Sequence, residues 1–352
     1  MSVTRAVVLI LNLASPSLAL AATAPSAPAE PGYAVSGHYV IGGTDMGYDY
    51  LRADAAGHRL YVAHSTRVEV LDLPSGTKRG EITGIRGVHG IEVVPEFNKG
   101  YTTDGQDRTI TVFDRDTLAV IKKIQPTGVK PDAILYDGFS KRVYAVNGGS
   151  TGDVTVVDPK TDTIVGTLAL GGGKLENIGF DGRGHGFVND EEKSIIHVFD
   201  TQTLKKTGEW KMGTCQEPTG MAVDTEHHRI HSVCGNNVMA VLDSDNGHLV
   251  AEVTIGSGPD GAAFDPRTHR AFASNSDGTL DVIQEETPNR YVRVQSVKTG
   301  TGARTIAIDD QTGVLYVPTV SFGPAPAGGG RKPVLPDTFG VLAVSVPAPA
   351  GH

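Results

Sequence analysis

The 352-residue sequence predicts an all-β protein: a single seven-bladed β-propeller with four strands per blade, its ring closed by an N-terminal strand. Three observations carry this reading. One side chain, aromatic in six units and imidazole in the other, recurs at near-constant spacing: Tyr61, Tyr101, Tyr144, Phe187, His231, Phe272 and Tyr316, separated by 40, 43, 43, 44, 41 and 44 residues. Around each marker the chain repeats one pattern of short β-branched strands and Asp-, Gly- or Pro-opened turns. Helical periodicity is absent after the N-terminal segment.

Within each unit the order is the same. A small apolar strand comes first, and in six units it ends at an aspartate that opens a turn: Asp54, Asp137, Asp181, Asp224, Asp265 and Asp309. The marker strand follows. The third strand reads VEVLD, ITVFD, VTVVD, IHVFD or VMAVLD, again closed by aspartate, and a fourth comes after turns such as LPSGT or PKTDT. Asp, Gly and Pro supply the backbone geometries that tight turns need. Such a unit buries its faces only against its neighbours, so the repeats must form a ring. The last unit holds three strands, ending in GVLAVSV (340–346), and YAVSGHYVIGG (33–43) precedes the first. Placing both in one blade supplies the missing fourth strand and removes the free sheet edges.

The chain opens MSVTRAVVLILNLASPSLALA, with one cation (Arg5), an apolar run and an A-x-A site, the pattern of an export signal. Asn12 and Pro16 break the run, which is too short for a membrane span; a retained helical anchor is the alternative. The organisation expected is a signal at 1–21, a Pro/Ala-rich spacer at 22–32, the propeller at 33–348 and a tail at 349–352. The protein is therefore expected in the periplasm or secreted, with no membrane span in the mature chain. Cys215 and Cys234 suit an oxidising compartment, where they either pair or remain two packed thiols. The formal charge of −9 and the lack of a basic patch argue against nucleic acid as a partner.

The repeat register singles out the residue that enters each innermost strand: Asp49, His89, Asp132, Glu176, Thr219, Asp260 and Arg304. Innermost strands line the central channel, so these side chains should meet at one mouth of it. A second series, three residues after each marker, is His64, Asp104, Asn147, Asp190, Cys234, Asn275 and Thr319, expected at the same face. Four converging carboxylates repel and need a cation, shared protons or water. Arg304 offsets part of that charge through Asp260 or Asp49.

Three uses follow. One is a hydrated polar channel mouth with no chemistry, serving a scaffold. Another is a metal site holding one divalent or transition metal ion, with His64, His89, Asp49 and Asp132 as ligands. The last is catalysis in the same funnel, with a carboxylate or His89 as general base and Arg304 gripping an anionic group. The leading expectation is binding of a metal cation or metal-bound small molecule, with Asp49, His89, Asp132, Glu176, Asp260 and Arg304 around the ligand.

The strings YDYLRAD, RLYVAHSTRVEVLDL, GVHGIEV, KPDAILYD, ASNSDGTLDV and GARTIAID resemble the exported YncE-like, YVTN-repeat propellers of bacteria, over residues 48–323. The resemblance implies a periplasmic propeller with a lined funnel. A YncE-type relative is associated with DNA binding, which the acidic charge of this chain opposes. The Tyr-Val-Thr-Asn signature is degenerate here, as YVAH, YTTD, YAVN, FVND, HSVC, FASN and YVPT. Propellers of the gluconolactonase type hold a metal with Glu and Asn on the axis; Glu176-Asn177 and Asn147 imitate part of that set, so a lactonase-like hydrolase is an analogy of fold.

Three other features complete the reading. The insertion SFGPAPAGGGRKPVLPDTFG (321–340), between the second and third strands of blade seven, is either a loose loop or a lid and protein-partner contact at the funnel face. Trp210 falls on an outer fourth strand and reads as blade packing or surface rather than a ligand platform. LGGGKLEN precedes a strand and lacks the Lys-Ser/Thr of a phosphate loop, and no Gly-x-Ser-x-Gly elbow is present.

Overall fold

The third strands carry apolar side chains on both faces of their pleat, and the structure shows why. In the third strand of blade 3, Asp153–Asp158, Val154, Thr155, Val156 and Val157 are all buried, because the blade is covered on both sides. The outermost strand, Thr163–Ala169, is covered on one side at most and is largely exposed, Ile164 and Val165 included. The computed structural model describes Met1 and residues 32–44, 47–326, 328, 330 and 332–347. The export signal, nearly all of the spacer and the tail expected from the sequence lie outside these residues.

Seven antiparallel four-stranded sheets form the blades. Blades 1 to 6 span residues 51–82, 88–124, 131–169, 175–211, 218–254 and 259–298, with strands a to d running from the axis outward in chain order. Blade 7 is assembled from both ends of the sequence: Ala307–Ile308, Leu315–Thr319, Gly340–Ser345 and, outermost, Ala34–Val40. The N-terminal strand pairs in register Gly37 to Ala343 and Tyr39 to Val341, the closure the repeat count requires. Successive a strands are neighbours all round, blade 7 against blade 1 included. Helix is confined to one 3-10 turn, Pro95–Phe97, among the described residues. No helix among them is long and apolar enough to cross a membrane.

The markers are the core. All seven are buried at the third position of their strands, or the second in blade 7, between one blade and the next. Tyr144 meets Phe180 and Phe199 of blade 4 at 5.0 and 5.7 Å. Gly100 and Gly186 precede markers because a Cβ there would collide with the rings of Phe113 and Phe199. The turn aspartates act as predicted: Asp137 accepts from the N–H groups of Phe139 and Ser140, and Asp309 from those of Gln311 and Thr312.

Cys215 and Cys234 form a disulfide, with Cα atoms 5.5 Å apart. Trp210 packs on Phe187 at 5.6 Å. The insertion is pinned at its base: Phe322 bridges Val334, Asp337 accepts from Gly43 N–H, and Phe339 stacks on Tyr48.

The second series does not face the funnel, and that expectation is corrected. His64, Asp104, Asn147, Asp190, Cys234 and Asn275 have no exposed surface. Three residues from the marker is an odd step along a period-two strand, so each side chain leaves by the opposite sheet face, which the adjoining blade covers. There they bracket the third strand: Asp104 accepts from Thr111, Asn147 donates to Thr155, and His197 Nε2 lies 2.9 Å from Asp190. These are buried polar links within blades.

Candidate functional site

The first series behaves as the repeat register requires. His89, Asp132, Glu176, Thr219 and Asp260 each occupy the second position of an a strand, and Asp49 and Arg304 lie just before theirs. In those five strands the pairing with strand b shifts register immediately afterwards, between Val88 and Ile91, Pro131 and Ile134, Leu175 and Ile178, Pro218 and Met221, and Pro259 and Gly261. A bulge of this kind re-aims a side chain and ends regular pairing. All seven residues line one cavity of about 250 Å³.

Four further residues line it that the register does not reveal: Tyr50, Lys130, Lys174 and Glu191. Lys130 and Lys174 stand two residues before Asp132 and Glu176, in KPD and KLE, a signal visible in hindsight. Glu191 follows the buried Asp190. The mouth is therefore a mixed-charge cavity, with three fixed cations among five carboxylates.

The ring divides into sectors. On blades 1 to 3, His89 Nδ1 lies 2.6 Å from Asp49 Oδ2 and 3.9 Å from Asp132 Oδ1. Ligand atoms of Asp49, His89 and Asp132 all lie within 4.8 Å of one another. On blade 4, Lys174 Nζ approaches Glu176 to 2.6 Å and also pairs with Glu191. On blades 6 and 7, Arg304 Nε stands 3.4 Å from Asp260 Oδ2, with its guanidinium 5.6 Å from the Tyr48 ring centre. Thr219 turns its hydroxyl to the Pro259 carbonyl, 3.1 Å away.

Burial sets the protonation pattern. It pushes Asp132 up to about 6, helped by the Asp49 charge and opposed by His89 and Lys130. Burial likewise pushes Asp260 up to about 6 against the pull of Arg304. Burial and a hydrogen bond to Glu191 hold Glu176 well above the carboxylate range; Glu191, favoured by that bond and by Lys174 against its own burial, is held down. Burial pulls the His89 imidazole down, but its bond to Asp49 and the charges of Asp132 and Asp49 outweigh it, and the net shift is upward. Tyr50, buried beneath the carboxylates, stays a neutral phenol.

The structure does not bring His64 into this group. Its ring is buried against Phe339 at 4.4 Å, with Nδ1 3.3 Å from Glu69 Oε1 and 3.0 Å from Arg67. It belongs to the blade-1 polar link, for the reason that removes the whole second series. The gluconolactonase-like set is not assembled either: Asn147 is buried inside blade 3, and Asn177 Oδ1 accepts from the Ile178 N–H.

Beyond the charged mouth the channel narrows at Tyr50, Ile91, Ile134 and Ile178, a space of about 160 Å³. It then opens to an apolar mouth of about 710 Å³ lined by Leu51, Leu135, Phe180, Met221, Phe264 and Ile306. The two ends differ in chemistry, and groups suited to holding a cation converge at the first.

Together the fold and cavity define a seven-bladed propeller with a polar, mixed-charge funnel mouth. No protein-family model matches the chain, and no curated protein matches its sequence. Among solved structures it is similar to Kuenenia stuttgartiensis hydrazine synthase, with a TM-score of 0.70 and 14% identity over 78% of this chain and 93% of that one. At that identity the likeness is one of fold.

Proposed function

We propose that this is an exported propeller, YncE-like in its repeats, that binds a divalent or transition metal cation, or a small molecule carrying one, at the charged mouth. The observation that carries this is the convergence of Asp49, His89 and Asp132 from three blades to within 4.8 Å. Carboxylate and imidazole donors together suit zinc, iron or manganese. A cation there would take the place of the proton between His89 and Asp49 and offset both the burial and the Asp49 charge that raise Asp132. Arg304, across the cavity, holds an anionic group on the same ligand. The signal-like N-terminus and the disulfide support an oxidising, periplasmic or extracellular setting. Acidic charge disfavours nucleic acid, and the pinned insertion at 321–340 is the surface offered to a protein partner.

The test is metal stoichiometry on untagged protein by equilibrium dialysis against Zn²⁺ or Mn²⁺. The His89→Ala/Asp132→Asn protein should bind one cation fewer per chain than the parent while keeping its β-rich circular dichroism. Equal stoichiometry in the two proteins removes the cation reading. A second reading, a metal-free pocket for a small anionic molecule, is favoured by one observation: Arg304 Nε is buried without an aligned hydrogen-bond acceptor. Ligand binding lost on Arg304→Ala with metal binding intact selects it. A lactonase-like hydrolase in the same funnel is tested by lactone and ester turnover with and without added metal.

A further inference from the structure

At the other end of the a strands, away from the charged mouth, blades 5 and 6 bring two histidines and two carboxylates together. His227 lies in the turn after Pro218–Asp224, His269 in the turn after Pro259–Asp265, and Glu285 in strand c of blade 6, Thr279–Thr287. We propose that His227, His269 and Glu285, with Asp224 as a fourth donor, form a second transition-metal site, of the type that takes Zn²⁺, joining blade 5 to blade 6.

Geometry places the donors. Ligand atoms of His227, His269 and Glu285 all lie within 4.8 Å of one another. His227 Nδ1 is 2.8 Å from Glu285 Oε1 and 3.1 Å from Asp224 Oδ2. The two imidazole rings are 4.9 Å apart and inclined by 34°. Asp224 is split in its duties: Oδ1 accepts from the N–H groups of Glu226 and His227, which sets the turn, and Oδ2 is left over. The Glu285 N–H donates to the His269 carbonyl, so the backbone itself ties the carboxylate to the second histidine.

The donors are also unsatisfied. The Glu285 side chain is 2% exposed, yet neither of its oxygens has a hydrogen-bond partner among the described residues. The same holds for Asp224 Oδ2, His227 Nδ1 and His269 Nδ1; the close approaches lack hydrogen-bond alignment. Buried polar atoms without partners are costly and rare. The Arg229 guanidinium, whose charge reaches Glu285, does not relieve them. Arg229 spends its donors on Pro288 O, His228 O, Asp243 Oδ2 and Asn289 Oδ1. One cation at the centre of the group would give His227, His269 and Glu285 a shared partner, with Asp224 Oδ2 beside His227 as the remaining donor. Two imidazole nitrogens and two carboxylate oxygens with no fixed open position match a structural Zn²⁺ site, which stabilises by linking elements.

The probe is Zn²⁺ alone, added to metal-stripped, untagged full-length protein. Zn²⁺ content and the melting temperature are compared in the parent, in His89→Ala/Asp132→Asn, and in His227→Gln/His269→Gln, whose polar replacements at half-buried turns preserve bulk. The rim variant should bind one Zn²⁺ fewer than the parent and lose part of its Zn²⁺-dependent rise in melting temperature. The funnel variant should retain one Zn²⁺. Replacing Zn²⁺ by Co²⁺ should give the visible bands of a tetrahedral ion in the funnel variant and not when both pairs are changed. The inference is overturned if the funnel variant takes up no Zn²⁺, or if the rim variant matches the parent in content and melting. Either result leaves the funnel proposal to stand or fall on its own variant.

Discussion

Nδ1 of His89 lies 2.6 Å from Oδ2 of Asp49, although the two residues are 40 positions apart and belong to different blades. The contact exists because consecutive repeats place equivalent residues side by side around the axis. It makes the imidazole a better base than an exposed one. Asp49 supplies a hydrogen bond and a charge, and together with the Asp132 charge these overcome the opposing effect of burial.

Asp49→Asn should therefore lower the His89 pKa. In the parent, the stability from this pair is fully present below the ordinary histidine value and is lost as pH rises through the raised one. The variant keeps the shape of the partner without its charge, so that contribution should shrink. Side-chain NMR titration of His89 in metal-free parent and variant measures it directly. An unchanged midpoint would show that Asp49 does not set the imidazole.

His231 supplies a second pH dependence of opposite sign. Its ring fills the marker site of blade 5, stacked on Phe264 at 5.1 Å, with neither ring nitrogen bonded to a side chain. Burial drives its pKa down to about 4; Asp224 opposes that and Arg229 adds to it. The folded chain holds His231 neutral while the unfolded chain takes a proton, so stability present above about pH 6.5 is lost as pH falls toward 4. A shift of this size corresponds to about 3 kcal/mol at the acid end. His231→Phe, the residue used at Phe187 and Phe272, should be more stable than the parent at pH 4.5 and close to it at pH 7.5. Urea midpoints at the two pH values decide it; a difference that does not grow with acid counts against the assignment.

Gln295 ties the start of the closing strand to blade 6. Its Oε1 accepts from the Tyr33 N–H at 2.8 Å and its Nε2 donates to the Tyr33 carbonyl at 2.7 Å, fastening the N-terminal strand's approach to blade 6. The Tyr33 ring packs edge-on against Phe272 at 5.2 Å. Gln295→Ala leaves two partly buried backbone groups without these partners, at a cost of about 1–3 kcal/mol. Deleting residues 33–40 should cost more and expose the edge of Gly340–Ser345. Thermal melts and limited proteolysis report both, and a deletion that melts like the parent would refute closure by this strand.

Much of the site was legible in repeats. Asp49, His89, Asp132, Glu176, Thr219, Asp260 and Arg304 were found from register, because each blade repeats one backbone path and equivalent residues must share a place around the axis. Lys130, Lys174 and Glu191 lie off that register: the two lysines stand two residues before Asp132 and Glu176, and Glu191 comes at the end of the next strand, one residue after Asp190. His64 is the converse case. Its register position was right, but an odd step from the marker sends it to a sheet face covered by the adjacent blade. The rim cluster of His227, His269 and Glu285 carries no repeat signal, since its members come from two turns and a third strand.

The sequence by itself determined the all-β class, the seven blades, the use of an N-terminal strand to complete the last one and which residues ring the axis. These follow from periodicity: a four-stranded unit cannot bury its faces alone, and the spacing of markers and turn aspartates counts the units. Only the tertiary structure decided how the ring divides into an Asp49–His89–Asp132 group, a Lys174–Glu176–Glu191 group and an Asp260–Arg304 pair. It also decided that Cys215 and Cys234 join, and that the second series is buried. Those outcomes depend on side-chain direction, on burial and on distances of a few ångströms between blades, and electrostatic energies at that range are set by placement in space rather than by order along the chain.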